Sequence, residues 1–98
     1  EMEMTVLAHC YALENFTIPD GVTAIGENAF FYCRNLKGIT IPDSVTTIGK
    51  GVFESCANLT DVHFKGTMQQ WNEISKGNAW DGGIEACVVH CTDGDIAK

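Results

Sequence analysis

The chain has 98 residues, 45% of them hydrophobic and 19% charged, and it carries a net charge of −7. This composition is typical of one small globular unit and excludes a disordered chain. No stretch approaches the roughly 18 continuous apolar residues of a transmembrane helix, so membrane insertion is not expected. The excess of acidic side chains also argues against nucleic acid or an anionic membrane as the partner.

Two stretches of the sequence are nearly the same: IPDGVTAIGENAFFYC at 18–33 and IPDSVTTIGKGVFESC at 41–56, which are 23 residues apart. Cys10, Leu13 and Phe16 fall in the same register, so the chain begins inside a third copy. A fixed period of this length indicates a solenoid, in which one repeat is one coil that cannot bury its apolar side alone. We expect residue 1 to be an internal boundary of a longer protein, so the lack of a signal peptide here says nothing about secretion.

Each repeat contains the pattern L-x-x-I-x-I, which places its last two apolar residues on one side of an extended strand. The pattern predicts three parallel strands stacked about 4.8 Å apart. Pro19 and Pro42 end the first two strands, because proline lacks a backbone N–H and Pro-Asp-Gly or Pro-Asp-Ser favours a turn. The apolar positions of the three strands are Leu13, Phe16 and Ile18; Leu36, Ile39 and Ile41; and Leu59, Val62 and Phe64.

The remainder of each repeat returns the chain to the next strand. VTAIG and VTTIG are β-branched runs that predict a second extended segment. ENAFFYC at 27–33 and KGVFESC at 50–56 predict a short helical or 3₁₀ turn whose Phe and Cys point inward. The predicted fold class is therefore an α/β solenoid, a right-handed coil with short parallel strands, short helical turns and a C-terminal cap.

Residues 65–98 depart from the repeat, and we expect them to cap the same domain, since a solenoid needs a last coil that covers its core. Thr67 and Gln70 fit the capping box of a short helix. The apolar stripe of this helix is Met68, Trp71 and Ile74.

A glycine-rich loop at 76–83 follows the predicted helix, and ACVVHC at 86–91 predicts a final strand. Trp80 is the large apolar residue of the loop. We expect Trp71 and Trp80 to plug the open end of the coil; a platform for a ligand is the alternative.

Three of the five cysteines, Cys10, Cys33 and Cys56, are separated by the repeat period. They should stack as a ladder of small buried thiols, so packing accounts for all three without a disulfide or a metal site. Neighbouring coils could bring their Cα atoms into disulfide range, but equivalent positions on parallel coils do not automatically meet the torsional requirement, and three is an odd number. We expect free thiols.

Other groups give weak signals for chemistry. Cys87, His90 and Cys91 resemble metal-ligand spacing, but a strand places both cysteines on one face and the histidine on the other, so we expect no zinc site. TDGD at 92–95 is too short to specify calcium and is read as a turn. No nucleophile, base or cofactor motif converges elsewhere, and the chain is predicted not to be an enzyme and to use no cofactor.

The order L-x-x-I-x-I-P-D-x-V-T-x-I-G-x-x-x-F-x-x-C-x-N, complete at 36–58 and partial at 13–35, resembles the BspA-like leucine-rich repeats of bacterial surface and secreted proteins. The resemblance covers residues 1–64, and FKGTMQQWNEI with ACVVHCTDGDI is similar to the segment that often closes such arrays. It implies a non-catalytic protein-interaction or adhesion module outside the cell or at its surface, with a protein ligand such as a host surface or matrix protein.

The outward strand face and the residues beside it are the candidate binding site, chosen by geometry alone. The alternative for these positions is that they face solvent and bind nothing. The alternative function for the chain is a structural cap or spacer for an enzyme or carbohydrate-binding domain elsewhere in the protein. We also expect the first coil, near Met2, Met4, Val6 and Leu7, to self-associate or fray. The candidate contact residues are Asn15, Thr17, Lys37, Gly38, Thr40, Thr60, Asp61 and His63.

Overall fold

In the computed structural model, which describes residues 2–4, 10–82, 84 and 87–97, the chain winds into a solenoid built on two sheets. The five-stranded sheet has the strand order β2-β4-β6-β8-β9, and the four-stranded sheet has the order β1-β3-β5-β7. Neighbouring strands are parallel except for the last pair, β8 and β9. The elements are β1 Met2–Met4, β2 Asn15–Thr17, β3 Val22–Ile25, β4 Gly38–Ile41, β5 Thr47–Ile48, β6 Asp61–Phe64, α1 Met68–Glu73, β7 Ser75–Lys76, β8 Val88–Cys91 and β9 Gly94–Ala97.

The predicted stacking of the three repeat strands is confirmed. Phe16 of β2 lies opposite Ile39 of β4, which lies opposite Val62 of β6, so the register follows the 23-residue period. The predicted second extended segment forms β3 and β5, where Ile25 lies opposite Ile48. The repeat therefore sets both ladders of hydrogen bonds at once.

The third side of each coil differs from the prediction, because it consists of consecutive turns and not of helical or 3₁₀ segments. Asn28 and Tyr32 have φ angles of 58° and 61°, in the left-handed region, and such residues interrupt a helix. The N–H groups of Asn28, Phe30 and Tyr32 instead donate to carbonyls of the next coil, at 2.9–3.0 Å. The expectation missed this because F-x-x-C spacing fits a turn of helix and this run of turns equally well.

The core lies between the sheets and this third side. Phe30 and Phe53 are fully buried and stacked, with ring centroids 5.6 Å apart. Cys33 and Cys56 are also fully buried, as predicted, whereas Cys10, the third member of the predicted ladder, is only partly buried because the structure describes no complete coil outside it; no disulfide joins the described cysteines. The Cys56 thiol donates to the Phe30 carbonyl at 3.0 Å, and burial raises the pKa of Cys56 to about 11. This thiol is a packing group that stays protonated at neutral pH.

Glycines lie where neighbouring coils approach closely, at the ends of the strands in the four-stranded sheet. A Cβ atom placed on Gly49 would lie 2.8 Å from the backbone nitrogen of Glu27, and one placed on Gly77 would lie 2.6 Å from that of Lys50. The N–H of Gly49 donates to Ile25 and that of Gly77 to Ile48. The absence of a side chain permits these backbone contacts.

The predicted capping box of α1 is confirmed. The Thr67 hydroxyl accepts from the Gln70 N–H at 3.1 Å, and the Gln70 side-chain oxygen accepts from the Thr67 N–H at 2.8 Å. Trp71 and Ile74 are buried and Met68 is partly buried, so the stripe faces the core. Within the described residues this six-residue segment is the only helix.

Trp80 continues the aromatic column, with its ring centroid 6.2 Å from that of Phe53 and 5.8 Å from that of Trp71. The predicted final strand is β8, and the chain then turns through Thr92 and Asp93 into β9, which was not predicted. The side chains of Met2 and Met4, and residues 5–9 as a whole, lie outside the described residues, so the expectation for the first coil stays a prediction.

Candidate interaction surface

The candidate surface is the outward face of the five-stranded sheet, called here the strand face. Two rows of residues cross the strands in register because the parallel pairing repeats from coil to coil. The antiparallel strand β9 extends both rows by one position. The rows are Asn15, Gly38, Asp61, Val88 and Ala97, and Thr17, Thr40, His63, His90 and Asp95.

Most residues expected on this surface are accessible. Asn15, Thr17, Lys37, Thr60 and His63 are exposed. Thr40 and Asp61 are half-buried.

Gly38 departs from the expectation, since it is buried. Its neighbour in the row, Asn15, lies across it: a Cβ atom placed on Gly38 would be 2.8 Å from the Asn15 Oδ1 atom. The glycine leaves room for this amide and offers no side chain of its own for a contact.

Lys37 and Thr60 occupy the same repeat position, directly before β4 and β6. The Lys37 Nζ atom lies 4.0 Å from Glu14 Oε1, and both side chains are more than 60% exposed, so this ion pair is weak. The Thr60 hydroxyl donates to Asp61 Oδ2 at 2.9 Å. The polar edge of the strand face therefore continues into the preceding loop.

Two residues of the strand face, His90 and Asp95, were missed as candidates. His90 Nε2 lies 2.8 Å from Asp61 Oδ1, and His90 Nδ1 lies 3.1 Å from Asp95 Oδ1. The His90 ring also stacks on that of His63, with centroids 4.9 Å apart. The signal was present in the similarity of DVHF at 61–64 to VVHC at 88–91, but the spacing is longer than the repeat period.

The charge of this cluster follows from its geometry. As an imidazolium, His90 donates from both ring nitrogens to carboxylates, and the hydrogen bond to Asp61 is the main reason that the pKa of His90 is raised. The same bond, with a smaller contribution from Thr60, lowers the pKa of Asp61. The cluster joins β6, β8 and β9 through their side chains.

We expect the His90 cluster to stabilise the fold in a pH window set by these shifts. The contribution of His90 is complete below its ordinary pKa of 6.5 and is lost as pH rises through its higher folded-state pKa. The contribution of Asp61 is complete above its ordinary pKa of 3.8 and is lost as pH falls through its lower folded-state pKa.

An NMR titration of the His90 ring measures this directly. Native His90 should titrate above 6.5. Asp61→Asn should lower its pKa more than Asp95→Asn does, because the bond to Asp61 is the largest cause of the shift. A His90 ring that titrates at 6.5, or that responds equally to both variants, contradicts this geometry.

The strand face is suited to non-covalent contacts. Both nitrogens of His90 are engaged with carboxylates, so in this arrangement neither is available to take a proton from a nucleophile. In the part of the chain that the structure describes, no group of three or more His, Cys, Asp or Glu side chains could hold a metal ion. The side chains of the CxxHC segment lie on the predicted faces: Cys87 is buried and His90 is on the outward face.

Short parallel coils with an inward apolar lining and a polar strand face define a leucine-rich-repeat solenoid. The chain belongs to the BspA-type leucine-rich repeat family: the family model described as "BspA type Leucine rich repeat region (6 copies)" matches residues 1–76. This confirms the resemblance seen in the sequence.

A solved structure similar to this one is that of a leucine rich cell surface protein from Faecalibacterium prausnitzii A2-165. It has 39% sequence identity and a TM-score of 0.73 over 76% of this chain, and the chain spans 20% of the length of that protein. No protein of curated function matches the chain. None of the described helices is long and apolar enough to cross a membrane.

Proposed function

We propose that this chain is a non-catalytic protein-interaction module of a bacterial surface or secreted protein, and that it binds a protein ligand through the strand face. The observation that carries the proposal is the strand face itself, whose outward side chains come from five strands held in register by a buried core. A rigid scaffold that positions exposed polar side chains in rows is the arrangement that repeat proteins use for recognition.

The composition of the face supports a specific, polar contact. Asn15 and Thr17 at one side, and His63 with the cluster of Asp61, His90 and Asp95 at the other, offer hydrogen-bond donors, acceptors and both charge signs. Complementary charge and hydrogen bonding give an interface specificity more than raw affinity. Similarity to a leucine rich cell surface protein, of which this chain covers 20%, supports adhesion to a host surface or matrix protein as the role.

We further propose that residues 65–98 cap the solenoid, with 1–64 as its repeats in one domain. Trp71 and Trp80 lie against the last repeat, where Trp71 contacts Phe64 and Trp80 contacts Phe53. The antiparallel turn from β8 into β9 ends the parallel progression of the five-stranded sheet. β9 also presents exposed Asp95 at this end, and a charged, short edge strand resists further pairing.

Surface plasmon resonance against purified matrix proteins, including type I collagen and laminin, tests the adhesion role. Thr40→Arg adds a long charged side chain in the middle of the strand face, and Thr47→Arg makes the same change on the exposed face of the other sheet. We expect a matrix protein to bind the native chain and the Thr47 variant, and to lose at least tenfold in affinity for the Thr40 variant. Equal affinities for both variants, or no binding to any matrix protein, contradict the proposal.

A further inference from the structure

A cleft of about 170 Å³ lies on another side of the molecule, between the turn that follows β4 and the helix α1. Val45, Phe64 and Ile74 contribute apolar atoms to its lining, and all three residues are largely buried. Asp43, from the turn, and Glu73, from the last turn of α1, also line the cleft, and both are exposed.

The cleft exists because the repeat that contains β6 does not continue as the two repeats before it do. In the earlier coils the Pro-Asp turns pack on each other, and the Ser44 hydroxyl donates to the Val22 carbonyl while it accepts from the Gly21 N–H. After β6, the sequence replaces this turn with Lys65, Gly66 and the helix. The helix does not fill the space beside the Asp43 turn that another Pro-Asp turn would occupy.

The charges at the cleft differ from those one coil earlier. Asp20, the repeat equivalent of Asp43, lies 3.5 Å from the Nζ atom of Lys65. Among the described residues, neither Asp43 nor Glu73 has an ion-pair partner, and Glu73 accepts a hydrogen bond from the Gln69 side-chain amide at 3.3 Å. Two acidic groups from separate elements thus border an apolar floor, while the ammonium group of Lys65 pairs with the equivalent Asp20 instead.

We propose that this cleft receives a lysine side chain of a partner protein. Its volume is below the several hundred cubic ångströms of small-molecule sites, and it suits a single side chain. A lysine buries its aliphatic stem on apolar surface and keeps its ammonium group at the edge, where Asp43 and Glu73 supply the opposite charge. The site lies away from the strand face and can be occupied whether or not that face binds a ligand.

An NMR titration with the peptide acetyl-Gly-Lys-Gly-amide tests the inference, with norleucine in place of lysine as the control for the stem alone. We expect the lysine peptide to shift the backbone amides of Thr46, Glu73 and Ile74. We expect Asp43→Asn to weaken this binding roughly twofold to fivefold, the range of an exposed ion pair. Asp20→Asn removes the same charge from the equivalent turn outside the cleft and should leave the affinity unchanged.

Three results would overturn the inference: equal binding of the norleucine peptide, an equal effect of the two Asn variants, or shifts confined to other surfaces. Both aspartates are exposed, so neither variant should impair folding. Thr40→Arg, on the strand face, should leave the peptide affinity unchanged. A failure of strand-face binding is therefore distinguishable from a failure of this site.

Discussion

Phe53→Ala should lower the free energy of unfolding by about 3–5 kcal/mol, the cost of removing a large buried aromatic side chain. Phe53 is fully buried and lies at the centre of the aromatic column, between Phe30 and Trp80. Its loss leaves a cavity between Phe30 of the preceding repeat and Trp80 of the terminal segment. Urea unfolding followed by tryptophan fluorescence measures the effect, because Trp80 reports on the same contact.

Phe31→Ala is the matched control. Phe31 lies one repeat earlier and is only partly buried, so its truncation should lower the free energy of unfolding much less. If the Phe53 variant does not fold, Phe53→Leu keeps most of the apolar volume and should be folded but less stable than the native chain. Equal losses for Phe31→Ala and Phe53→Ala would mean that the column is not the core of this domain.

Gly49→Ala should lower the free energy of unfolding by about 1–3 kcal/mol, as overpacking does. The added methyl group would lie 2.8 Å from the backbone nitrogen of Glu27 and 3.0 Å from the carbonyl carbon of Gly26. Backbone atoms cannot rotate away as a side chain can, so the two coils must separate and weaken the hydrogen bond from Gly49 to Ile25.

Gly82→Ala is the matched control for this prediction. There the nearest atom to an added methyl group is Cγ of the flexible Glu54 side chain, at 3.3 Å, so we expect little change. The shift of the urea midpoint measures both variants. A Gly49 variant as stable as the Gly82 variant would show that the coils can separate at no cost.

The strands could be predicted from the sequence, because the period-two pattern of each strand and the 23-residue spacing between repeats indicate the same register. Leu36, Ile39 and Ile41 each have one environment that buries them, and the neighbouring copies impose the same register. The capping box was predictable for a similar reason, since Thr67 and Gln70 bond to each other within one turn. Local chemistry and tertiary packing agree at these positions.

The remainder depended on contacts between coils that a single repeat does not contain. Gly49 ends a β-branched run and looked like a turn residue, whereas its role is a close approach to the coil before it. The side chains of His90 and Asp61 meet across a longer loop, so the repeat register did not bring them together in the sequence. Asn28 adopts a left-handed conformation that the pattern of apolar residues does not encode.

The run of turns on the third side of each coil has a consequence for the shape of a longer array. Where a helix forms the back of a repeat, it is wider than a strand, and the stack must bend toward its strands. Here the back bonds from coil to coil through Asn28, Phe30 and Tyr32, at distances like those of a sheet. Front and back therefore advance by the same strand spacing of about 4.8 Å per repeat. Additional repeats should extend such a protein nearly straight, as a rod whose reach grows in proportion to its number of coils.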